Sequence, residues 1–342
     1  MNTNRNRFLD ILKGISVLFI TATHYDFTDW NRLDYFFPYW IDTAVPIFML
    51  ISGYVATMSY RKQNVTTIEQ AYALPTIVGK IVRYTIPFLF AYVVETGYSI
   101  FVNGFQSFRG LSWFIYLVKG GEGPGAFYYP LLIQLIFVFP LIYFLIQRLG
   151  FCGLVLSFLA TYAMEIMKGV YQMPENTYCM LLFRYTFIIA VGVYLASEHY
   201  KSRPVWQIAS LVVGFASIFV MVYLQWNIPF IDYWKQTSLL GCLYIAPIVG
   251  FGIRKCSGWH FAPLEFLGKA SYYIFLTQKV YYIYGRKIYL KIPGENFDFL
   301  VTMVVCITVG IFFYLAVNPL NNKACKACKE FCERHPIPET WR

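Results

Sequence analysis

Lys13 and His24 stand eleven residues apart in the first apolar run of this 342-residue chain. At about 100° per residue, that spacing brings both to within about 20° of one helix face, about 16 Å apart along the axis. Such a face could hold a charged donor at the lysine end and deliver a reactive group to the imidazole. Neutral imidazole is the usual choice for taking a proton from an alcohol near neutral pH. A lysine that reaches for the bilayer surface and a histidine that closes the helix end give the same spacing. Spacing alone leaves both readings open.

A second constellation is Lys80-Ile-Val-Arg83, followed by Pro87. Residues i and i+3 share a helix face, so two cations would converge there as a phosphate site, or else anchor the helix on the cytoplasmic side. Glu95, Glu165, Arg184 and Lys279 also fall within apolar runs. Ionisable groups in such places pair with one another or face a wet cavity. Either glutamate could partner a cation or orient His24, and Lys80, Arg184 and Lys279 are placed to snorkel toward a membrane boundary. Ser52, in Ser52-Gly53-Tyr54, lacks a flanking base or elbow motif and reads as a small packing residue.

Eight cysteines are spread without a disulfide-scaffold spacing. Cys325, Cys328, Cys332 and His335 would span about 15 Å on a regular helix, too far to close on one ion, so no metal site is expected. Residues 318–342 read as a short basic cytoplasmic tail.

These residues must be positioned by membrane helices. The chain is 58% hydrophobic, 20% aromatic and 13% charged, which excludes an ordinary soluble protein. Stretches of about 20 apolar residues recur along its length, giving about ten spans centred on Ser16, Ile51, Phe90, Phe137, Leu159, Ile188, Gly214, Ala246, Leu276 and Ile307. The first run shows no cleavage site and reads as a retained helix. Cations such as Arg5, Arg7, Arg61, Lys62, Arg148, Lys201, Arg203, Arg254, Lys255 and those of the tail through Arg342 fall on one side, the cytoplasm. The first loop, from Asp26 through Asp29, Trp30 and Asp34 to Asp42, is acidic and lies outside, so both termini are inside. Arg286, Lys287 and Lys291 run against this count. The net charge of +10 therefore reports topology, and no nucleic-acid partner is expected because the cations form no stripe. The long outer segment from Asn103 to Gly125 reads as a connector or a lid. No internal repeat is visible. The expectation is a single all-α polytopic membrane domain over residues 1–342.

With those residues in view, the chain resembles the acyltransferase 3 family of bacterial membrane acyltransferases along nearly its whole length. Arg7-Phe-Leu-Asp10-Ile-Leu-Lys13-Gly14 through His24 is similar to the family's signature of a cation followed by histidine. Val45-Pro-Ile-Phe48 through Ser52-Gly53-Tyr54 resembles its second-helix motif, and Lys80-Ile-Val-Arg83 its third-helix Arg-x-x-Arg, with lysine first. Tyr128-Tyr-Pro130 through Gln134 to Pro140 and Leu267-Gly268-Lys-Ala-Ser271 through Gln278 resemble two later segments. Many members have histidine where this chain has Gln278, so no proton transfer is assigned there.

The resemblance implies an O-acyltransferase, by preference an O-acetyltransferase, in the bacterial cytoplasmic membrane. Acyl-CoA would be its cytoplasmic co-substrate, with no permanently bound cofactor and no metal. Its acceptor would be a sugar hydroxyl of a cell-surface polysaccharide or lipid-linked glycan. It implies Lys13, Lys80 and Arg83 for acyl-CoA and His24 as general base in direct transfer, with an acyl-histidine as the alternative course. Asp42 and Tyr128 would serve the acceptor side. Glycan-assembly proteins are conceivable partners. The competing class is a transporter or flippase of glycan intermediates, whose buried charges line a path without acyl transfer. A structural partner in a glycan-assembly complex is a third possibility.

Overall fold

The computed structural model describes residues 6–25, 32–104, 110–226, 239–285 and 294–335. Arg5, the Asp26 to Trp30 stretch, Arg286, Lys287, Lys291 and Arg342 lie outside the described residues.

All regular structure among the described residues is helical. In chain order the helices are α1 (Arg7–Thr23), α2 (Ala44–Lys62), α3 (Leu74–Asn103), α4 (Gly110–Val118), α5 (Tyr128–Leu149) and α6 (Phe151–Val170). They continue with α7 (Glu175–Met180), α8 (Thr186–Leu195), α9 (Pro204–Ile218), α10 (Leu239–Lys255), α11 (Ala262–Val280) and α12 (Glu295–Arg334). Each of the ten expected span centres falls in a different one of them, which leaves the short α4 and α7 and a four-residue helical turn, Ile68–Ala71.

Six segments among the described residues are long and apolar enough to cross a membrane, built on α2, α3, α5, α6, α9 and α12. The remaining four span candidates fall short for physical reasons. α1, which carries Asp10 and Lys13, has 17 residues, and α11 carries Glu265, Lys269 and Lys279. α10 has 17 residues and α8 only ten. α8 is hydrophobic all round, and residues 186–193 are buried. Its environment is protein on every side, as expected for a helix without a polar face.

The core forms where α8 crosses α2. Gly53 lies against the Ile189 carbonyl and Gly192 against the Leu50 carbonyl, with Leu50, Ile51, Ile188 and Ile189 buried around them. Small residues let the backbones approach, the usual basis of helix association in lipid, where apolar burial gives little drive. Large side chains such as Val93, Phe101, Val205 and Phe312 remain exposed. They suit a lipid-facing belt.

α1 and α11 pack in the same way. Gly14 meets the backbone of Leu264, and Gly268 meets the Asp10 carbonyl. A methyl group at position 268 would overlap that carbonyl. Gly268→Ala should therefore lower stability by about 1–3 kcal/mol, the usual cost of overpacking, in thermal unfolding of the purified protein. Gly97→Ala, exposed inside α3 with nothing near the new methyl, should not lower it and should raise it by up to about 1 kcal/mol, alanine's helix-propensity gain over glycine.

α12 is continuous from Glu295 to Arg334 despite Pro319 within it. The region expected as a cytoplasmic tail is helical through Arg334 and docks on α3. Asn321 Nδ2 donates to the Arg83 carbonyl at 2.9 Å, and Cys325 Sγ to that of Gly79 at 3.6 Å.

Candidate functional site

A cavity of about 170 Å³ lies at the C-terminal end of α1. His24, Asp42 and Tyr128 all line it. Lys13, Lys80 and Arg83 do not line it.

His24 is the residue that closes α1. Its Nδ1 is 3.0 Å from Gln278 Oε1 on α11. With the amide oxygen facing it, Nδ1 donates in the tautomer that leaves the Nε2 lone pair open. Nε2 has no hydrogen-bond partner among the described residues. Gln278 is fully buried, so its side chain has no freedom to turn away. A π-helical turn, Tyr281–Gly285, follows α11. It brings the Tyr282 ring edge-on to His24 at 6.2 Å and its hydroxyl to the Thr21 carbonyl at 2.7 Å. On another side of the imidazole, Gly125 has φ +79°, and a side chain there would strike the Phe275 ring.

Asp42 fixes the end of α1. Its Oδ1 accepts from Thr23 Oγ1 at 2.8 Å and from Arg32 Nη2 at 2.7 Å, while Arg32 Nη1 donates to the Thr23 carbonyl at 2.9 Å. The helix terminus next to His24 is thus tied on both backbone and side chain. Tyr128, at the start of α5, packs its ring 4.9 Å from that of Phe275. Its hydroxyl has no partner among the described residues.

The facing wall comes from a break between α7 and α8. Leu181 is extended and a 3₁₀ turn, Leu182–Tyr185, follows it. Gln134 bridges the break, accepting from the Leu182 N–H at 3.1 Å and donating to the Met180 carbonyl at 2.7 Å. Thr161 accepts from the Phe187 N–H at 3.0 Å and donates to the Phe183 carbonyl at 3.2 Å. Backbone groups freed by a broken helix must find such partners inside a membrane protein. The break puts Glu175, Cys179, Arg184 and Tyr185 into the cavity wall.

Arg184 is 4% exposed, which overturns the expectation that it snorkels. Its Nη1 donates to Cys179 Sγ at 2.7 Å and stands 4.0 Å from Glu175 Oε1, and the guanidinium lies over the rings of Tyr178 and Tyr185 at 4.6 and 5.2 Å. Nε has no partner. Glu175 is also paired with Lys168 at 3.3 Å.

Lys279 does not snorkel either, being 1% exposed. It pairs with Glu95 at 2.8 Å and donates to the Gly120 carbonyl at 2.8 Å. Glu95 also accepts from the Glu122 N–H. Gly121, at φ +86°, leaves no room for a side chain between these two charges. The ion pair therefore pins the glycine-rich loop whose Gly125 forms the cavity wall. Glu165 accepts from the Leu239 N–H at 2.8 Å, at the start of α10. Neither glutamate orients His24, because each is committed elsewhere; Gln278 makes that contact.

Lys13 pairs with Asp10 at 4.0 Å. Lys80 Nζ lies 3.5 Å from the Tyr60 hydroxyl and 4.8 Å from the centre of its ring. The Ser52 hydroxyl donates to the Phe48 carbonyl at 2.8 Å within its own helix. Its packing role is in keeping with that bond and with neighbouring Gly53.

This arrangement holds an imidazole, bonded at one nitrogen, in a small cavity faced by a buried guanidinium, carboxylates and a phenol. A family model described as an acyltransferase domain matches residues 6–317. The chain belongs to the acyltransferase 3 family. No curated protein and no solved structure matches it. Acyl transfer by a multi-pass membrane protein follows from the family and the apolar helices.

Two residues of the site were given no role from the sequence. Gln278 stood out only as a departure from the histidine of many relatives, and Arg184 only as a charge in an apolar run. Gln278→Ala should lower turnover about tenfold, since losing one buried hydrogen bond costs about 1–2 kcal/mol. The KM for the acyl donor should stay unchanged. Steady-state kinetics of the purified variant would check both.

Proposed function

We propose that the protein is an O-acetyltransferase that moves an acetyl group from cytoplasmic acetyl-CoA to a sugar hydroxyl of a bacterial cell-surface glycan. The observation that carries this reading is His24, held through Nδ1 by Gln278 with Nε2 bare, in the cavity shared by Asp42, Tyr128 and Arg184. Nε2 takes the proton of the acceptor hydroxyl as its oxygen attacks the thioester carbonyl. The new C–O bond forms, the C–S bond breaks, and the proton passes from His24 to the leaving CoA thiolate. Direct transfer needs no second nucleophile. The cavity's small volume suits a short acyl group.

Tyr128 and Arg184 serve the acceptor, whose oxygens can use the unpartnered phenol and the free Nε–H. Asp42 acts by holding the end of α1. Lys80 and Arg83 hold the CoA phosphates, and the pantetheine arm passes Lys13 on its way to His24.

Ten helices cross the membrane with both termini in the cytoplasm. Contacts of α1 with α11 support this order, because Asp10 and Gly14 meet Gly268 and Leu264 at one end while His24 meets Gln278 at the other. The two helices run in the same direction, as first and ninth spans must. α12 runs against α3, as tenth and third spans must, with Asn321 at Arg83 and Cys325 at Gly79.

The test is glycan ester content by mass spectrometry in cells expressing wild type, His24→Ala or an empty vector, with equal membrane insertion verified. An acetyl increment confined to the wild type is the expected result. Altered glycan export without any ester would replace the enzyme by a flippase.

A further inference from the structure

Residues 318–334 lie beyond the family match, which ends at 317, yet they are helical and packed on α3. Asn321, Cys325 and Lys329 recur every four residues and so form one helix face. That face meets α3 at Arg83 through Asn321 and at Gly79 through Cys325. Lys329 comes next along it. Its aliphatic stem covers Gly79, where even a methyl group would overlap its Cε. The charges that act on Lys80 are those of Arg83 and Lys329.

Lys80 and Arg83 on α3 and Lys329 on α12 therefore carry their charges at one helix junction, Arg83 and Lys329 exposed there. No carboxylate pairs with any of them among the described residues. The nearest in sequence, Glu330, is turned to Lys326 at 3.8 Å and Arg334 at 3.9 Å. Like charges repel, weakly where they are exposed as Arg83 and Lys329 are, and an anion joining them relieves that repulsion. Coenzyme A carries a diphosphate and a separate 3′-phosphate, a polyanion that such a cluster complements.

The geometry points to Lys329, on the C-terminal extension of α12, as a third phosphate-binding cation that completes the acyl-CoA site begun by Lys80 and Arg83. The inference rests on the donor site proposed above. The ligand chemistry is a phosphate oxyanion, which an anionic lipid headgroup would also supply, and the experiment separates the two.

Calorimetric binding of CoA and 3′-dephospho-CoA would be measured on the full-length protein in phosphatidylcholine nanodiscs, and again with phosphatidylglycerol added. The variants are Lys329→Gln, Lys329→Arg, Lys326→Gln and the double variant Lys80→Gln/Arg83→Gln, each checked for a monodisperse size-exclusion profile. Lys329→Gln should weaken CoA binding about 5- to 10-fold in phosphatidylcholine, the scale of one charge-assisted contact. Lys329→Arg should retain binding, and Lys326→Gln should match the wild type. If only the Lys80/Arg83 variant loses CoA, Lys329 is outside the site and the donor reading stands. If neither weakens binding, the donor reading fails and this inference with it. A Lys329→Gln effect confined to phosphatidylglycerol retention would overturn the inference in favour of a headgroup site.

Discussion

His24→Ala should lower acyl transfer by about 10²–10⁴-fold, the usual contribution of a positioned general base. The reason lies in the ring's two nitrogens. Nδ1 is occupied by Gln278, and in the tautomer protonated there the other nitrogen is left as a base in the cavity. Alanine removes the base and leaves the end of α1 intact, since Thr23, Arg32 and Asp42 hold it without His24. The loss should therefore fall on kcat, with CoA affinity preserved because Lys80 and Arg83 do not line this cavity. Purified His24→Ala that binds CoA normally and transfers no acetyl group would show this split. Equal loss of binding and turnover would mean that His24 holds the donor instead, and unchanged transfer would remove it from the chemistry.

Lys279→Met should destabilise the fold by about 3–5 kcal/mol, the cost of stranding one charge of a buried pair. Glu95 and Lys279 are almost wholly out of contact with solvent, and Glu95 would be left facing only the Glu122 N–H. The loop through Gly120, Gly121 and Gly125 would lose its anchor, so the cavity wall next to His24 should loosen as well. The double variant Glu95→Gln/Lys279→Met should recover most of the stability, because a neutral pair of similar volume carries no desolvation penalty. Thermal unfolding in detergent, read with the amount of folded protein in membranes, would measure both. A single-variant loss below about 1 kcal/mol would place the pair in water and not in the bundle.

Much of the site was legible before the fold was known. His24 was marked by its spacing from Lys13, and with it Asp42 and Tyr128 were expected at the site; the three line one cavity. The cavity's other half was not legible. Arg184 reaches it only because Gln134 and Thr161 stabilise a helix break around Leu181, and no local pattern marks which polar residue will satisfy a break. Glu95 and Glu165 looked equally able to orient His24. Their partners, Lys279 and the Leu239 N–H, lie 184 and 74 residues away in the chain.

The sequence by itself determined where the helices lie, because lipid tolerates only long apolar segments with internally satisfied backbones. It also marked which ionisable residues would be costly to bury, and so where to look for chemistry. Only the tertiary structure decided which of those charges neutralise one another and which group holds the His24 ring. It alone put the last turns of α12 on α3. Each of those outcomes depends on which helix faces meet, and the choice rests on close glycine contacts such as Gly268 on Asp10 and Gly192 on Leu50. Hydropathy is a property of one segment, whereas a cavity is a property of several segments packed together.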